Sequence, residues 1–214
     1  KVQSIIPALQ GSNWAVTVDL SDAYFHVPLH PDARRYLRFV SRETVYQFKA
    51  LPFGLNTAPF LFTWILRPFV RRLRSQGIKI HVYQDDWLVH HEDRSTLQRH
   101  LRVTLQLALE LGFRVNPSKS QLVPVQKFTY LGVQFNLADQ LVCPPIEKCR
   151  EIEKMVLRIL LESPRPAKEW ASFLGKLTFV APLVPRGRLN SRWFQLLLRR
   201  EWTFDWKKDR GMLI

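Results

Sequence analysis

Two adjacent carboxylates interrupt a stretch of the chain that otherwise alternates between apolar and polar residues. The tetrapeptide Tyr83-Gln84-Asp85-Asp86 lies between the alternating segment 78–82 and the apolar segment 87–89. This pattern predicts two β-strands joined by a tight turn, with the aspartates at the tip of the hairpin. Adjacent carboxylates in apolar surroundings are costly unless a cation neutralises them. The tetrapeptide is therefore a candidate cation site, although a solvated turn, in which Asp is common, would explain it as well.

A third carboxylate follows another apolar segment. Asp19 stands in the sequence VTVDL (residues 16–20), which predicts a buried strand. If this strand lies beside the hairpin, Asp19, Asp85 and Asp86 would supply oxygen ligands from two neighbouring strands. Such a set suits a pair of Mg²⁺ ions, or Mn²⁺ in their place, and that is equipment for phosphoryl transfer. Taken alone, Asp19 could also cap a following turn.

The segments around these aspartates predict a sheet and a long helix. We expect strands at residues 14–20, 36–40 and 44–49, the last two joined by a turn at 41–43. From Thr57 the apolar residues follow a helical period, with one face made of Phe62, Ile65, Leu66, Phe69, Val70 and Leu73. Thr57 is the expected cap, Pro68 should kink the helix without ending it, and Gly77 should end it.

A second helix and further short strands are expected after the hairpin at residues 78–90. Leucines and alanines between residues 97 and 109 mark the helix, with Asp93 or Ser95 as its cap and Gly112 at its end. Segments 115–125 and 128–135 predict short strands or extended chain.

The chain after Pro144-Pro145 has a helical pattern. Three apolar stripes predict three helices, and they consist of Ile152, Val156, Ile159 and Leu160; of Trp170, Leu174, Leu177 and Ala181; and of Leu189, Trp193, Leu196 and Leu197. We therefore predict an α+β protein, with an α+β body over residues 1–142 and a helical module over residues 143–214.

Composition narrows the class of partner. The net charge is +14, and the chain contains seven Trp. A basic and aromatic balance of this kind indicates a polyanionic partner, although a ribosomal protein or an anionic-membrane binder would share it. No apolar segment reaches the length of a membrane span, so we expect no membrane partner and an intracellular location, cytoplasmic or nuclear. The two cysteines, Cys143 and Cys149, are expected to be reduced thiols.

Five segments, in order along the chain, resemble motifs A to E of the reverse transcriptases, which are RNA-directed DNA polymerases. They are VDLSDAYFHVPL (18–29), LPFGLNTAP (51–59), YQDD (83–86), LGFRVNPSK (111–119) and FTYLG (128–132). Segments 173–175 and 184–189 are similar to retroelements of the DIRS type. The resemblance implies a polymerase palm, an antiparallel sheet with helices on one face, together with partial fingers and a helical thumb-like C-terminal module.

The resemblance also implies roles for individual residues. Asp19, Asp85 and Asp86 would be catalytic and hold two Mg²⁺ ions. Lys119 would be catalytic by neutralising or protonating the pyrophosphate, although a solvated loop lysine is the plain alternative. Tyr24 would lie under the incoming sugar and select deoxynucleotides, although it could equally be a core aromatic residue.

The remaining implied sites bind substrate and nucleic acid. Phe53 and Gly54 would line the nucleotide and template pocket, although a loop glycine before a helix is common. Leu131 and Gly132 would belong to a hairpin that grips the primer, and the plain alternative is an ordinary hairpin strand. Apart from the resemblance, a basic and aromatic cluster in the helical module could track a duplex backbone, although a solvated basic helix face would explain it as well. The cluster consists of Arg186, Arg188, Arg192, Arg199, Arg200 and Trp193, and Arg186, Arg188 and Arg192 are the expected binding residues. A similar run of Arg67, Arg71, Arg72 and Arg74 is expected to be only a solvated helix face.

The implied activity is that of a nucleotidyltransferase from a retrotransposon or related element. Its partners would be an RNA or DNA template with a primer and deoxynucleoside triphosphates, with ribonuclease H and recombinase domains on the same polyprotein. Because only 18 residues precede Asp19, we expect most of the family's triphosphate-gripping fingers segment to be missing from this chain. Two other functions stay open, a non-catalytic nucleic-acid-binding relic of such a polymerase and a two-metal nuclease. A nuclease would not need motif B.

Overall fold

The computed structural model describes residues 2–9, 11–161, 165–201 and 211–212. Helices α1 to α7 of this part of the chain span Val2–Ile5, Pro31–Arg34, Ala58–Ser75, Arg94–Glu110, Ile146–Leu161, Ala167–Val180 and Gly187–Glu201. Strands β1 to β11 span Trp14–Asp19, Arg38–Ser41, Thr44–Gln47, Lys79–Tyr83, Asp86–His91, Gln121–Val125, Lys127–Tyr130, Val133–Asn136, Leu141–Cys143, Arg165–Pro166 and Gly211–Met212. The fold is mixed α and β, as the sequence predicts.

The chain divides into two compact units. The first comprises Pro7–Leu131 and Asn136–Gln140, and the second comprises Lys1–Ile6, Gly132–Phe135 and Leu141–Ile214. The assignment of residues 1–142 to a palm with partial fingers, and of 143–214 to a thumb-like module, stays a prediction.

A four-stranded sheet with the order β4-β5-β1-β6 forms the centre of the first unit. β1 and β5 run antiparallel over their whole length, from Trp14 opposite His91 to Asp19 opposite Asp86. β4 pairs with β5 from Lys79 opposite His90 to Tyr83 opposite Asp86. The hairpin predicted at residues 78–90 therefore exists, and β1 lies beside it as the ligand hypothesis requires.

Helices α3 and α4 pack against this sheet around a common apolar core. Val16, Val18, Trp87 and Val89 project from β1 and β5 into a cluster that also holds Phe62 and Leu97 of the helices. Because neighbouring residues of a strand face opposite sides, Asp19 and Asp86, which adjoin Val18 and Trp87, lie on the sheet face away from this cluster.

The long helix α3 forms as predicted, but its start differs in one detail. The helix runs from Ala58 to Ser75 through Pro68, since the buried face made by Phe62, Leu66, Phe69 and Leu73 continues beyond the proline. Thr57 occupies the capping position, yet its side chain makes no capping hydrogen bond, because its backbone already has a right-handed helical conformation. The prediction of a Thr57 side-chain cap is therefore wrong.

Helix α4 begins at a true side-chain cap. The Asp93 carboxylate accepts a hydrogen bond from the Thr96 backbone N–H at 2.7 Å, so Asp93 rather than Ser95 is the cap. Gly112, with φ of 81°, follows the helix at its C-terminal end.

The small hairpin β2–β3 is one residue tighter than expected. Ser41 pairs with Thr44, so the turn consists of Arg42 and Glu43 alone, both with positive φ. Residues 116–120, expected to be extended, form a loop before β6, because Asn116 bonds the backbone and side chains that follow it.

The second unit contains helices α5, α6 and α7. Helix α6 buries Trp170, Phe173 and Leu174, in agreement with its predicted stripe. Two other stripes do not face inward as a set. In α5, Val156 and Leu160 are exposed, whereas Ile152 and Ile159 of the same stripe are half-buried. In α7, Leu189 and Trp193 are exposed, whereas Ser191 is buried.

Candidate active site

The turn between β4 and β5 places Asp85 at its tip. Gln84, with φ of 53°, and Asp85 are the two residues between the paired Tyr83 and Asp86. The Trp87 indole N–H donates to the Gln84 carbonyl at 3.1 Å, and the Trp87 ring is fully buried. The core therefore fixes the geometry of the turn from below, through the residue that directly follows the aspartates.

Asp19 lies across the sheet from this turn. It is the last residue of β1, opposite Asp86, and the Leu20 backbone N–H donates to the Asp85 carbonyl at 3.0 Å. Directly opposed residues of an antiparallel pair have Cβ atoms roughly 4.5–5.5 Å apart. The structure thus brings together all three predicted carboxylate residues, and each of them is half-buried.

The carboxylates repel one another. Burial raises the pKa of Asp19, nearby Lys119 lowers it, and Asp85 raises it further. Burial also raises the pKa of Asp86, followed by repulsion from Asp85 and Asp19, with Lys119 acting in the opposite direction. A cation between these groups would relieve both the desolvation and the repulsion.

The chemistry of these residues fits a hard divalent cation, for which carboxylate oxygens are preferred ligands. No group of three or more His, Cys, Asp and Glu side chains is placed to hold a metal ion within the described part of the chain. The role of Asp19, Asp85 and Asp86 as metal ligands therefore stays a prediction that rests on their charge and their register.

Lys119 lies on the exposed loop before β6, close enough to influence the pKa of both Asp19 and Asp86. Its backbone N–H donates to the Asn116 side-chain oxygen at 3.3 Å. The predicted cation of motif D is thus near the carboxylates, and its catalytic role stays a prediction.

Tyr24 combines features of a core residue and of a site residue. It is buried and contacts Phe62 and Phe53, with ring centroids 5.5 and 4.9 Å away. Burial raises the pKa of Tyr24, and the next cause is the charge of Asp85. Tyr24 therefore lies within electrostatic range of the turn while its ring belongs to the core.

Phe53 and Gly54 lie on the loop that precedes α3. Phe53 is 57% exposed, which leaves a free aromatic surface beside Tyr24. Gly54 has φ of 86°, and a Cβ at this position would meet nothing within 4 Å. The backbone conformation, rather than lack of space, is what favours glycine here.

Residues Leu131 and Gly132 form the turn between β7 and β8, with φ of 49° and 72°. Consecutive positive φ values are those of a type I′ turn, which suits a tight hairpin. Their predicted contact with a primer is not tested by this geometry.

Three predicted binding residues lie in the second unit: Arg186 directly precedes α7, and Arg188 and Arg192 lie within it. All three are exposed. Trp193 beside them is 65% exposed. The side chains are thus available to solvent, and their role in binding nucleic acid stays a prediction.

Sequence reasoning missed two residues that hold the site together. The Tyr130 hydroxyl lies 3.1 Å from the Asp86 carbonyl and 3.2 Å from the His81 carbonyl, so it braces β5 and β4. The Ser120 hydroxyl accepts from the Asp19 backbone N–H at 3.0 Å. Neither interaction has a signal in the residue pattern, because both join segments far apart in the chain.

Known proteins match most of this chain. A family model described as "Reverse transcriptase (RNA-dependent DNA polymerase)" matches residues 2–135. The Gag-Pol polyprotein of walleye dermal sarcoma virus is 26% identical over 97% of this chain and 11% of its own length. Protein P of duck hepatitis B virus, strain China, is 28% identical over 82% of this chain and 22% of its own. The chain thus spans less than a quarter of the length of these curated relatives.

Solved structures agree with the fold. The foamy viral protease-reverse transcriptase dRH in complex with double-stranded DNA has a TM-score of 0.77 and is 24% identical, covering 95% of this chain and 35% of its own. The foamy viral protease-reverse transcriptase in complex with RNA/DNA hybrid has a TM-score of 0.71 and is 25% identical, covering 89% of this chain and 25% of its own. With a family model covering more than half of its residues, and with this fold, the chain belongs to the reverse transcriptase family of retroelements.

Proposed function

We propose that this chain is the catalytic part of an RNA-directed DNA polymerase, which adds deoxynucleotides to a primer 3′-end. The observation that carries the proposal is the register of β1 and β5, which sets Asp19 opposite Asp86 and beside the Asp85 turn. The pKa values of Asp19 and Asp86 are raised because burial and mutual repulsion disfavour their charged forms, and a bound cation would stabilise those forms. Membership of the reverse transcriptase family, whose enzymes generally use divalent metals such as Mg²⁺, supports the same chemistry.

Asp19, Asp85 and Asp86 would hold two Mg²⁺ ions, or Mn²⁺ in their place. When bound, the ions would lower the pKa of the primer 3′-hydroxyl and neutralise the triphosphate and the departing pyrophosphate. Lys119 would add a positive charge on the pyrophosphate side, and its nearness to Asp19 and Asp86, whose pKa values it lowers, supports that role.

The remaining residues would position the substrates. Tyr24, fixed by its core contacts, would lie under the incoming sugar and exclude a 2′-hydroxyl, while Phe53 and Gly54 would line the pocket beside it. Leu131 and Gly132 would hold the primer end. The Arg186, Arg188 and Arg192 side chains would bind the duplex backbone, a role for which their exposure and charge are suited.

The proposed partners follow from the relatives. The foamy viral enzymes form complexes with double-stranded DNA and with RNA/DNA hybrid, which supports a template and primer for this chain. Kinship with a Gag-Pol polyprotein supports a polyprotein context, in which ribonuclease H and recombinase domains could accompany it. A DIRS-type origin stays a proposal. No described helix combines the length and the apolarity needed to cross a membrane.

Primer extension tests the proposal directly. The chain would be given oligo(dT) on poly(rA) with deoxythymidine triphosphate, with and without Mg²⁺. We expect Mg²⁺-dependent lengthening of the primer that is abolished by Asp19→Asn and by Asp85→Asn. Duplex binding should survive both changes, because neither removes a basic residue.

A matched control separates the loss of a catalytic carboxylate from a change in the net charge of the chain. Asp32→Asn removes an equal charge from an exposed carboxylate that pairs with His30 outside the site, and it should leave extension unchanged. Normal extension by Asp19→Asn or Asp85→Asn would contradict the proposal. Binding without any extension would favour a non-catalytic relic, and a shortened primer would favour a two-metal nuclease.

A further inference from the structure

The backbone of Asp19 lacks a strand partner on one side. β6 pairs with β1 at Ala15 opposite Val125 and at Thr17 opposite Gln121, with a shift in register between them. Gln121 is the first residue of β6, so the strand begins beside Thr17 and does not extend to Asp19. The N–H and C=O groups of Asp19 on this side must therefore find partners elsewhere.

The loop of residues 116–120 supplies both partners. The Asn116 backbone N–H donates to the Asp19 carbonyl at 2.8 Å, and the Asp19 N–H donates to the Ser120 hydroxyl at 3.0 Å. On the other side, Asp19 faces Asp86 of β5. Asp19, the last residue of β1, is thus held between β5 on one side and the loop of residues 116–120 on the other.

The loop of residues 116–120 is closed by hydrogen bonds among its own residues. The Ser120 hydroxyl donates to the Asn116 carbonyl at 2.6 Å while it accepts from Asp19, so this group joins the loop to the strand. The Ser120 backbone N–H also donates to the Asn116 carbonyl, at 3.1 Å. The Ser118 hydroxyl and the Lys119 N–H both bond the Asn116 side-chain oxygen, at 2.7 and 3.3 Å. An alanine side chain at position 120 could neither donate nor accept, so the bond to the Asp19 N–H would be lost while the backbone bond to Asn116 stays.

We propose that Ser120 is a positioning residue, which holds the Asp19 carboxylate in place for a divalent cation and ties the Lys119 loop to it. Asp19 needs such support because the charges of Asp85 and Asp86 push against its own. Partners that orient a ligand typically change metal affinity or activity by 10–100-fold when they are removed. The inference rests on the proposed function, since it concerns the same carboxylate.

The first test needs neither metal nor catalysis. Hydrogen exchange of the Asp19 amide in the unsubstituted chain should be slow, because its N–H is bonded to the Ser120 hydroxyl within a closed loop. In Ser120→Ala, exchange at Asp19 should be roughly tenfold faster, while the amide of Leu20, bonded to Asp85 instead, keeps its rate. An Asp19 amide that exchanges as fast as exposed loop amides in the unsubstituted chain would overturn the inference.

The second test measures cation affinity, by electron paramagnetic resonance of Mn²⁺ added to the chain. We expect Ser120→Ala to weaken Mn²⁺ binding roughly tenfold and Ser120→Thr, which keeps the hydroxyl, to restore it. Ser118→Ala is the matched control, since it removes a hydroxyl of the same loop that bonds Asn116 and not Asp19. Equal losses in Ser118→Ala and Ser120→Ala, or no rescue by threonine, would count against a specific role for Ser120.

The two proposals fail in different ways. Unchanged Mn²⁺ binding by Asp19→Asn counts against the metal site, and therefore against the proposed function, while the Asp19 amide still reports on Ser120. Conversely, if Asp19→Asn loses Mn²⁺ and Ser120→Ala does not, the proposed function stands and the positioning role of Ser120 is wrong.

Discussion

His90 shows how a single buried residue couples this sheet to pH. It is 2% exposed, and its Nδ1 lies 2.9 Å from the Asn13 side-chain oxygen, which can only accept, so Nδ1 carries the hydrogen of the neutral ring. Its ring stacks on His81 with centroids 5.3 Å apart. Burial lowers the pKa of His90 to about 4, and the charges of His81, Lys79 and His91 act in the same direction.

We therefore expect stability to fall as pH falls from about 6.5 to about 4. Within this window the unfolded chain binds a proton at His90 and the native chain does not, so protons favour unfolding. The stabilisation is fully present above the unfolded pKa of about 6.5, and at most about 1.4 kcal/mol is lost per pH unit below it. Urea unfolding between pH 4.5 and 7.5 measures the slope.

His90→Gln should reduce the slope of unfolding free energy against pH, because the unfolded variant no longer binds a proton at position 90. His30→Gln is the control, because His30 is exposed and the same exchange there removes an imidazole that is not buried. Identical slopes in the original chain and in His90→Gln would show that the pH dependence arises elsewhere, for example at His81, whose pKa is also lowered by burial.

The carboxylate residues could be found from the sequence, and the residues that hold them could not. Asp19, Asp85 and Asp86 are visible as charges within apolar segments, a pattern with few explanations. Tyr130 and Ser120 act through single hydroxyl groups on the backbone of Asp86 and Asp19. Such bonds depend on which segments the fold brings together, and residue type alone does not specify a partner.

At the scale of elements, the start of helix α4 shows that a local sequence feature, the capping residue Asp93, determines where a helix begins. Asp93 accepts hydrogen bonds from the Thr96 N–H and the Ser95 hydroxyl, each at 2.7 Å. These bonds lower the pKa of Asp93, because they favour the charged form. α4 contacts β5, β1 and β6, so the cap also fixes a helix that covers the sheet beneath the carboxylates.

Asp93→Ala should lower the thermal midpoint by about 2–4 °C, the usual effect of removing a cap in a protein of this size. Asp93→Asn should stay close to the original midpoint, since asparagine caps about as well as aspartate. Calorimetry or circular dichroism measures both. If Asn lowers the midpoint as much as Ala, the charge of Asp93 matters and its capping bond does not.

The elements themselves were predictable where local chemistry and packing agree. Helix α3, the β4–β5 hairpin and α4 combine strong periods with clear ends, and they form as expected. The loop at 116–120 was expected to be extended. Its turn arises from bonds of the Asn116 side chain, which the residue pattern does not indicate. The apolar stripe of α5 is only partly covered, and in α7 tertiary packing, which the period does not encode, buries Ser191 instead of Leu189 and Trp193.

At the scale of the whole molecule, the net charge of +14 raises the question of which basic surface binds nucleic acid. One basic group, Arg186, Arg188 and Arg192, lies in the helical unit beside exposed Trp193. Another, Arg67, Arg71 and Arg72, lies on the exposed side of α3. Counting charges cannot tell these groups apart, whereas a salt titration can, because only phosphate contacts release counterions from a duplex.

We expect the variant with Arg186, Arg188 and Arg192 changed to Gln to bind a DNA duplex with a weaker salt dependence. For each phosphate that the variant no longer neutralises, the slope of log affinity against log salt should decrease in magnitude by about 0.9. Changing Arg67, Arg71 and Arg72 to Gln lowers the net charge equally, from +14 to +11 because three charges are removed, and should leave the slope nearly unchanged. Fluorescence anisotropy at several salt concentrations measures both. Equal slopes for the two variants would mean that Arg186, Arg188 and Arg192 act only through total charge and do not bind the duplex directly.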